Sequence, residues 1–146
     1  MACQTSVYHE TNLDRYIYWG RYVDWLVTTP LLLVDLGTLA GLGSSDIFMA
    51  IAWDVVMILT GLAGGLTTNA KLKWPLWLLG CVAMLFVFHQ LVGGVQSANQ
   101  KRSEHLSNRY KQLMILTLFL WTAYPVVWAF GEGTGYVNVD TEIGAF

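Results

Sequence analysis

The sequence predicts an all-α membrane protein with four complete spans, and three observations carry that expectation. Of the 146 residues, 55% are hydrophobic and 14% aromatic. Only 12% are charged, about half the share of a soluble domain, and a small fold in water would lack the polar surface to cover so much apolar side chain. The apolar residues also gather into four stretches, each near the roughly 20 residues that a bilayer crossing requires.

In chain order the spans are expected at 16–40, 47–66, 74–95 and 110–130. A Gly/Ser turn at 41–46 separates the first two, a polar link at 67–73 the next pair, and a charged loop at 96–109 the last. The Gly-rich stretch 131–135 leads into 136–140, where Tyr136, Val137 and Val139 are expected to form a short hairpin strand. Residues 1–8 read as the end of an apolar helix, and another helix is expected to begin at Thr141. Both ends of the chain are thus expected to fall within helices of a single truncated domain spanning 1–146.

Residues 1–20 contain Glu10, Asp14 and Arg15 and no apolar stretch after a basic start, so no secretory leader is expected. A net charge of −2 gives no reason to expect nucleic acid, and Cys3 and Cys81 have neither metal-ligand nor disulfide spacing. Basic residues orient the spans. Lys101, Arg102, Arg109 and Lys111 lie on one side; Arg15, Lys71 and Lys73 lie on the other, with Glu10, Asp14, Glu132, Asp140 and Glu142. The 96–109 loop is therefore expected to be cytoplasmic, with Asp24 toward the outside and Asp35 toward the cytoplasm.

The first span contains Arg21, Asp24 and Asp35 within an otherwise apolar run. Ionisable side chains at membrane depth are costly and mark function by default. Asp24 and Asp35 are eleven residues apart, which returns them to one helical face about 16 Å apart along the axis. Arg21 and Thr28 flank Asp24 on that face. Asp24, beside Arg21, is expected to be ionised and able to accept a proton. Asp35, among Leu33, Val34 and Leu36, is expected to be kept protonated and able to give one. That is the arrangement of a proton relay. The alternative is a set of buried polar residues bonded to neighbouring helices.

The stretch 21–36 closely resembles the third helix of microbial rhodopsins of the bacteriorhodopsin type. The resemblance implies that Asp24 is the primary proton acceptor and Schiff-base counterion, Thr28 its hydrogen-bonding partner, Asp35 the cytoplasmic donor, and Arg21 the arginine that moves between counterion and release group. It assigns Trp25, Thr29 and Leu32 to the retinal pocket, with Leu32 at a position where Leu accompanies green absorption and Gln blue. In the second span Asp54, Met57 and Gly61 match positions that pair with the first span, touch the retinal ring and leave it room. In the third span Trp77, Gly80 and Met84 match pocket positions. In the fourth, the stretch 121–128 is similar to the family's sixth helix, so Trp121, Tyr124, Pro125 and Trp128 are expected to box the polyene. Glu132 and Glu142 resemble the pair of extracellular glutamates that release the proton. His89 has no assignable family role and reads as a capping or interfacial residue.

The resemblance implies a partial seven-helix bundle: the tail of the second helix, helices three to six and the start of the seventh. Retinal, protons and the lipid bilayer are the implied partners, and a homo-oligomer is compatible with it. The chain is expected to be a multi-pass protein of the cell membrane or an intracellular membrane. It would be a light-driven outward proton pump, a transporter and not an enzyme. Lys71, Lys73, Lys101 and Lys111 all read as loop or helix-end residues, so the Schiff-base lysine is expected outside this sequence. Two other readings compete. One is a photosensory rhodopsin signalling to a partner, against which Asp35 argues. The other is an opsin-related membrane protein without retinal, acting as a structural or chaperone-like factor, against which the intact relay residues and aromatic box argue.

Overall fold

The computed structural model describes residues 7–10, 15–67 and 69–130. Two short strands, β1 (Val7–Glu10) and β2 (Arg15–Tyr18), precede four helices. These are α1 (Trp19–Ala40), α2 (Ser44–Leu66), α3 (Ala70–Lys101) and α4 (Glu104–Trp128). The strands pair antiparallel, Val7 opposite Tyr18 and Glu10 opposite Arg15. This corrects two expectations. Val7 and Tyr8 do not end a helix, and the first span begins at Trp19, not at residue 16. Both tetrapeptides, Val-Tyr-His-Glu and Arg-Tyr-Ile-Tyr, are rich in β-branched and aromatic residues, which suit a pleated ribbon better than the first turn of a helix. The strand expected at 136–140 and the helix expected from Thr141 lie outside the described residues.

α1 ends where its sequence supplies a glycine. Gly41 takes the left-handed conformation, φ 71°. The N–H of Leu42 donates to the carbonyl of Gly37 at 2.9 Å and that of Gly41 to Thr38 at 3.1 Å. This is a Schellman closure, and a side chain at Gly41 would strain it. The next helix starts after only Leu42 and Gly43, with Asp46 in its first turn beside the positive helix end. At the head of α3 the Asn69 side chain accepts from the Lys71 N–H at 3.0 Å, an N-cap that satisfies one orphan donor.

The expected 96–109 loop is almost entirely helical. α3 continues to Lys101 and α4 starts at Glu104, leaving Arg102 and Ser103 as the junction. Polarity marks where a chain leaves the hydrocarbon, not where a helix stops, and Lys, Gln, Glu and Arg are good helix formers. The same reason places the start of α3 at Ala70, four residues before the expected span.

Gly20–Ala40, Ser44–Leu66 and Lys71–Lys101 are long and apolar enough to cross a membrane. The charges of α4 are confined to Glu104, Arg109 and Lys111, and none occurs from Gln112 to Phe130. Outward faces carry Val27, Leu31, Phe48, Leu85, Ile115 and Phe119, all exposed. The chain is an integral membrane protein built as a partial helical bundle. Its core joins all four helices through Leu33 and Leu36 of α1, Ala50 of α2, Val87 and Leu91 of α3, and Tyr110, Met114 and Trp121 of α4. Gly94 is required by this packing. A Cβ there would collide with the Tyr110 hydroxyl, which donates to the Leu91 carbonyl at 2.5 Å.

Candidate functional site

A cavity of about 440 Å³ opens between the four helices toward the Arg21 end of α1, within the roughly 300–1,000 Å³ typical of small-molecule sites. α1 contributes Arg21, Tyr22, Asp24, Trp25, Thr28, Thr29 and Leu32. α2 contributes Met57, Ile58 and Gly61, and α3 contributes Trp77, Gly80, Cys81 and Met84. α4 closes the wall with Trp121, Tyr124, Pro125 and Trp128. On all four helices the contributing positions recur at intervals of three or four, so each helix presents one stripe.

The aromatic walls brace one another. The Trp25 and Tyr124 rings meet edge to face, centroids 4.9 Å apart at 69°, and Tyr22 meets Trp25 at 5.4 Å and 67°. Such T-shaped pairs favour ring quadrupoles. The Arg21 guanidinium lies 5.6 Å from the Trp25 ring centroid and 5.9 Å from that of Tyr22, close enough for cation–π attraction. From the other side the Trp77 indole N–H donates to the Pro125 carbonyl at 3.1 Å, tying α3 to the proline segment of α4. Beyond Pro125 the helix loosens into a π-type turn at Ala129 and Phe130. Trp121 and Trp128 are buried, and the Trp128 indole nitrogen has no hydrogen-bond partner.

Arg21, Asp24 and Thr28 share the cavity edge, with Asp24 and Thr28 exposed. Thr28 departs from the expected pairing: its hydroxyl donates at 3.0 Å to the backbone carbonyl of Asp24, the usual outlet for a helical threonine. Asp35 does not line the cavity; it lies toward the opposite end of α1, exposed on its surface. Asp54 is fully buried and also outside the cavity. It meets the wall through Thr29, whose Oγ1 lies 2.6 Å from Asp54 Oδ2. Glu132 and Glu142 lie outside the described residues.

Tyr22, Ile58 and Cys81 line the cavity without having been expected there. Helical spacing could have found all three. Cys81 is four residues after Trp77, and Ile58 three before Gly61. Tyr22 stands next to Arg21 and three before Trp25. Lys73 lies at the start of α3, a helix-end residue as expected, yet it is buried, 5% exposed. No lysine is among the described residues that line the cavity. The chemistry of the lining fits an elongated apolar ligand with a positive end near Asp24. Aromatic and thioether groups form the walls, and a carboxylate is available at one edge.

The comparisons with known proteins agree in kind. The chain is 44% identical to archaerhodopsin-2 of Halobacterium sp. (strain aus-2) over 137 residues, 93% of this chain and 52% of the relative. It is 42% identical to opsin-1 of Neurospora crassa, over 97% of this chain and 49% of the relative. The chain thus spans about half the length of these relatives. Among solved structures, the light-driven proton pump of Leptosphaeria maculans superposes with a TM-score of 0.85 at 41% identity, covering 95% of this chain and 61% of that one. The thermophilic rhodopsin of Rubrobacter xylanophilus gives a TM-score of 0.89 at 36% identity, covering 96% and 63%. A family model described as bacteriorhodopsin-like protein matches residues 1–146, and the chain belongs to that family.

Proposed function

We propose that residues 1–146 form part of one multi-pass transmembrane domain of a light-driven proton pump that exports protons using retinal. The observation that carries this reading is the cavity itself, in which an aromatic box meets Arg21, Asp24 and Thr28 at one edge. The similarity to a solved light-driven proton pump supports it. Retinal, bound through a lysine, would supply light absorption and a protonated nitrogen whose hold on its proton depends on the shape of the polyene.

The chain's own residues divide the remaining work. Trp25, Trp121, Tyr124 and Trp128 exclude water and confine an elongated apolar molecule. Met57, Gly61, Gly80 and Met84 shape the space around it, and Trp77 fixes the α4 wall through Pro125. Asp24 balances a positive charge at rest and then accepts the proton, with Arg21 lining the same edge of the cavity one turn before it. Asp35, eleven residues along α1, supplies a proton from the cytoplasmic side. Glu132 and Glu142 are proposed for release outside.

The test is a fusion of this chain with the remaining helices of archaerhodopsin-2, reconstituted with all-trans retinal in liposomes of known orientation. Illumination should acidify the side toward which Asp24 lies, and a protonophore should abolish the change. A coloured fusion that moves no protons in light would exclude the pump reading.

A further inference from the structure

We infer that Arg102 and Lys101 are positioning residues for Asp35, clamping from the α3–α4 junction the end of the helix that carries it. The clamp is two hydrogen bonds. Arg102 Nη2 donates to the Thr38 carbonyl at 2.7 Å, and Lys101 Nζ donates to the Gly41 carbonyl at 3.1 Å. Thr38 lies in the last turn of α1 and Gly41 just past its end, where carbonyls lack the i+4 partner of a continuing helix. Among the described residues, the Thr38 carbonyl otherwise accepts only the closing bond from the Gly41 N–H at 3.1 Å. α1 has no basic residue in its own last turn, so its partial negative end is compensated from another part of the chain.

Gly41 lets the clamp close. A Cβ there would stand 3.2 Å from Arg102 Nε and 3.5 Å from Lys101 Cδ, so both side chains lie across the bare backbone of the turn. The junction that supplies the clamp is itself anchored. The Arg102 N–H donates to Ala98 at 3.0 Å, and the Ser107 hydroxyl bridges back to Asn99 Oδ1 at 2.6 Å. One turn further on, Tyr110 donates to Leu91 in the core. Strain on the end of α1 is therefore resisted by α3 and α4.

Asp35 is three residues before Thr38, within one turn and about 4.5 Å along the axis. Holding the Thr38 carbonyl holds the turn from which the Asp35 side chain springs. Proton transfer is sensitive to displacements on the order of 1 Å, so a frayed α1 end misplaces the donor while leaving Asp24, three turns away, undisturbed.

This inference rests on the pump reading for its consequence but not for the clamp, and the experiment separates the two. In the 146-residue chain in lipid nanodiscs, hydrogen exchange is followed at the Gly41 and Leu42 amides, with and without Lys101→Gln plus Arg102→Gln. Exchange there should quicken roughly tenfold; unchanged exchange overturns the clamp. In the retinal-loaded fusion, the same pair should slow the reprotonation step at least several-fold and leave proton arrival at Asp24 unchanged. Arg102→Lys, which keeps the charge, should recover part of the rate. Both steps slowing alike would mean general loosening, and faster exchange with an unaltered cycle would mean a clamp without a role for Asp35; either overturns the positioning. An unsubstituted fusion that is coloured but pumps nothing would sink the pump reading, and with it the role assigned to Asp35, while the exchange result still judges the clamp.

Discussion

Thr29 Oγ1 lies 2.6 Å from Asp54 Oδ2 and 2.8 Å from the carbonyl oxygen of Trp25, so one hydroxyl of α1 joins a buried carboxyl of α2 to the cavity wall. Asp54 is wholly buried, and its other oxygen has no hydrogen-bond partner. Its satisfaction therefore depends on Thr29. The pair fixes the rotation of α1 against α2, and through Trp25 and Tyr124 the setting of the aromatic box.

Thr29→Val should destabilise the chain by about 1–3 kcal/mol, because it strands a buried polar group while barely changing volume. Thr29→Val with Asp54→Leu removes both partners and should be milder than the single change. Thermal unfolding in one detergent, monitored by far-ultraviolet circular dichroism, compares the two. A double variant worse than Thr29→Val would mean that the pair contributes through packing and not through its hydrogen bond.

Gly94→Ala should destabilise by about 1–3 kcal/mol through overpacking, since the new methyl meets the Tyr110 hydroxyl. Tyr110→Phe removes that oxygen and the bond to Leu91 together. Made on the Gly94→Ala background, it should restore part of the loss instead of adding to it. Strict additivity of the two changes in a double-mutant cycle would disprove the contact.

Much of this arrangement was legible in the sequence, and what was not has physical causes. Spacing along α1 placed Arg21, Asp24 and Thr28 together, because helical periodicity is a property of the backbone alone. The aromatic positions on α3 and α4 came from resemblance; single tryptophans carry no spacing that separates a pocket from lipid. Thr28 shows the limit: its position was right, but its hydroxyl turned to the backbone of its own helix. Helix ends were misread wherever polarity stood in for secondary structure, at Ala70 and across 96–101. The Arg102 and Lys101 bonds to α1 bring together residues 64 and 60 positions apart, which no local pattern announces.

Leu32 lies at the cavity edge and is 38% exposed. The retinal-loaded fusion should absorb green light, and Leu32→Gln should move its maximum toward the blue, because a polar group beside the polyene changes how well the ground state's charge is stabilised relative to the excited state's. Visible spectra of the two proteins decide it. A fusion that already absorbs blue, or a maximum indifferent to the change, would remove Leu32 from the pocket.

The two aspartates of α1 provide the last prediction, because they differ in both place and task. Asp24→Asn removes the group that must take up the proton near the cavity. Light-driven export should stop, and the colour should shift to the red because the balancing negative charge has gone. Asp35→Asn leaves Arg21, Asp24 and the aromatic box intact, so the first transfer should proceed at its normal rate. Recovery must then draw on protons from bulk water, whose supply falls tenfold with each pH unit, and should slow progressively as pH rises. Azide, a small acid that can carry protons to the vacated position, should restore the rate. If Asp35 were only a polar residue on the surface of α1 with no part in the relay, its replacement would leave recovery independent of pH and azide. Flash photolysis of Asp35→Asn from acid to alkaline pH reads the difference directly. Unchanged kinetics would remove Asp35 from the relay and favour a sensor, in which no rapid internal donor is needed.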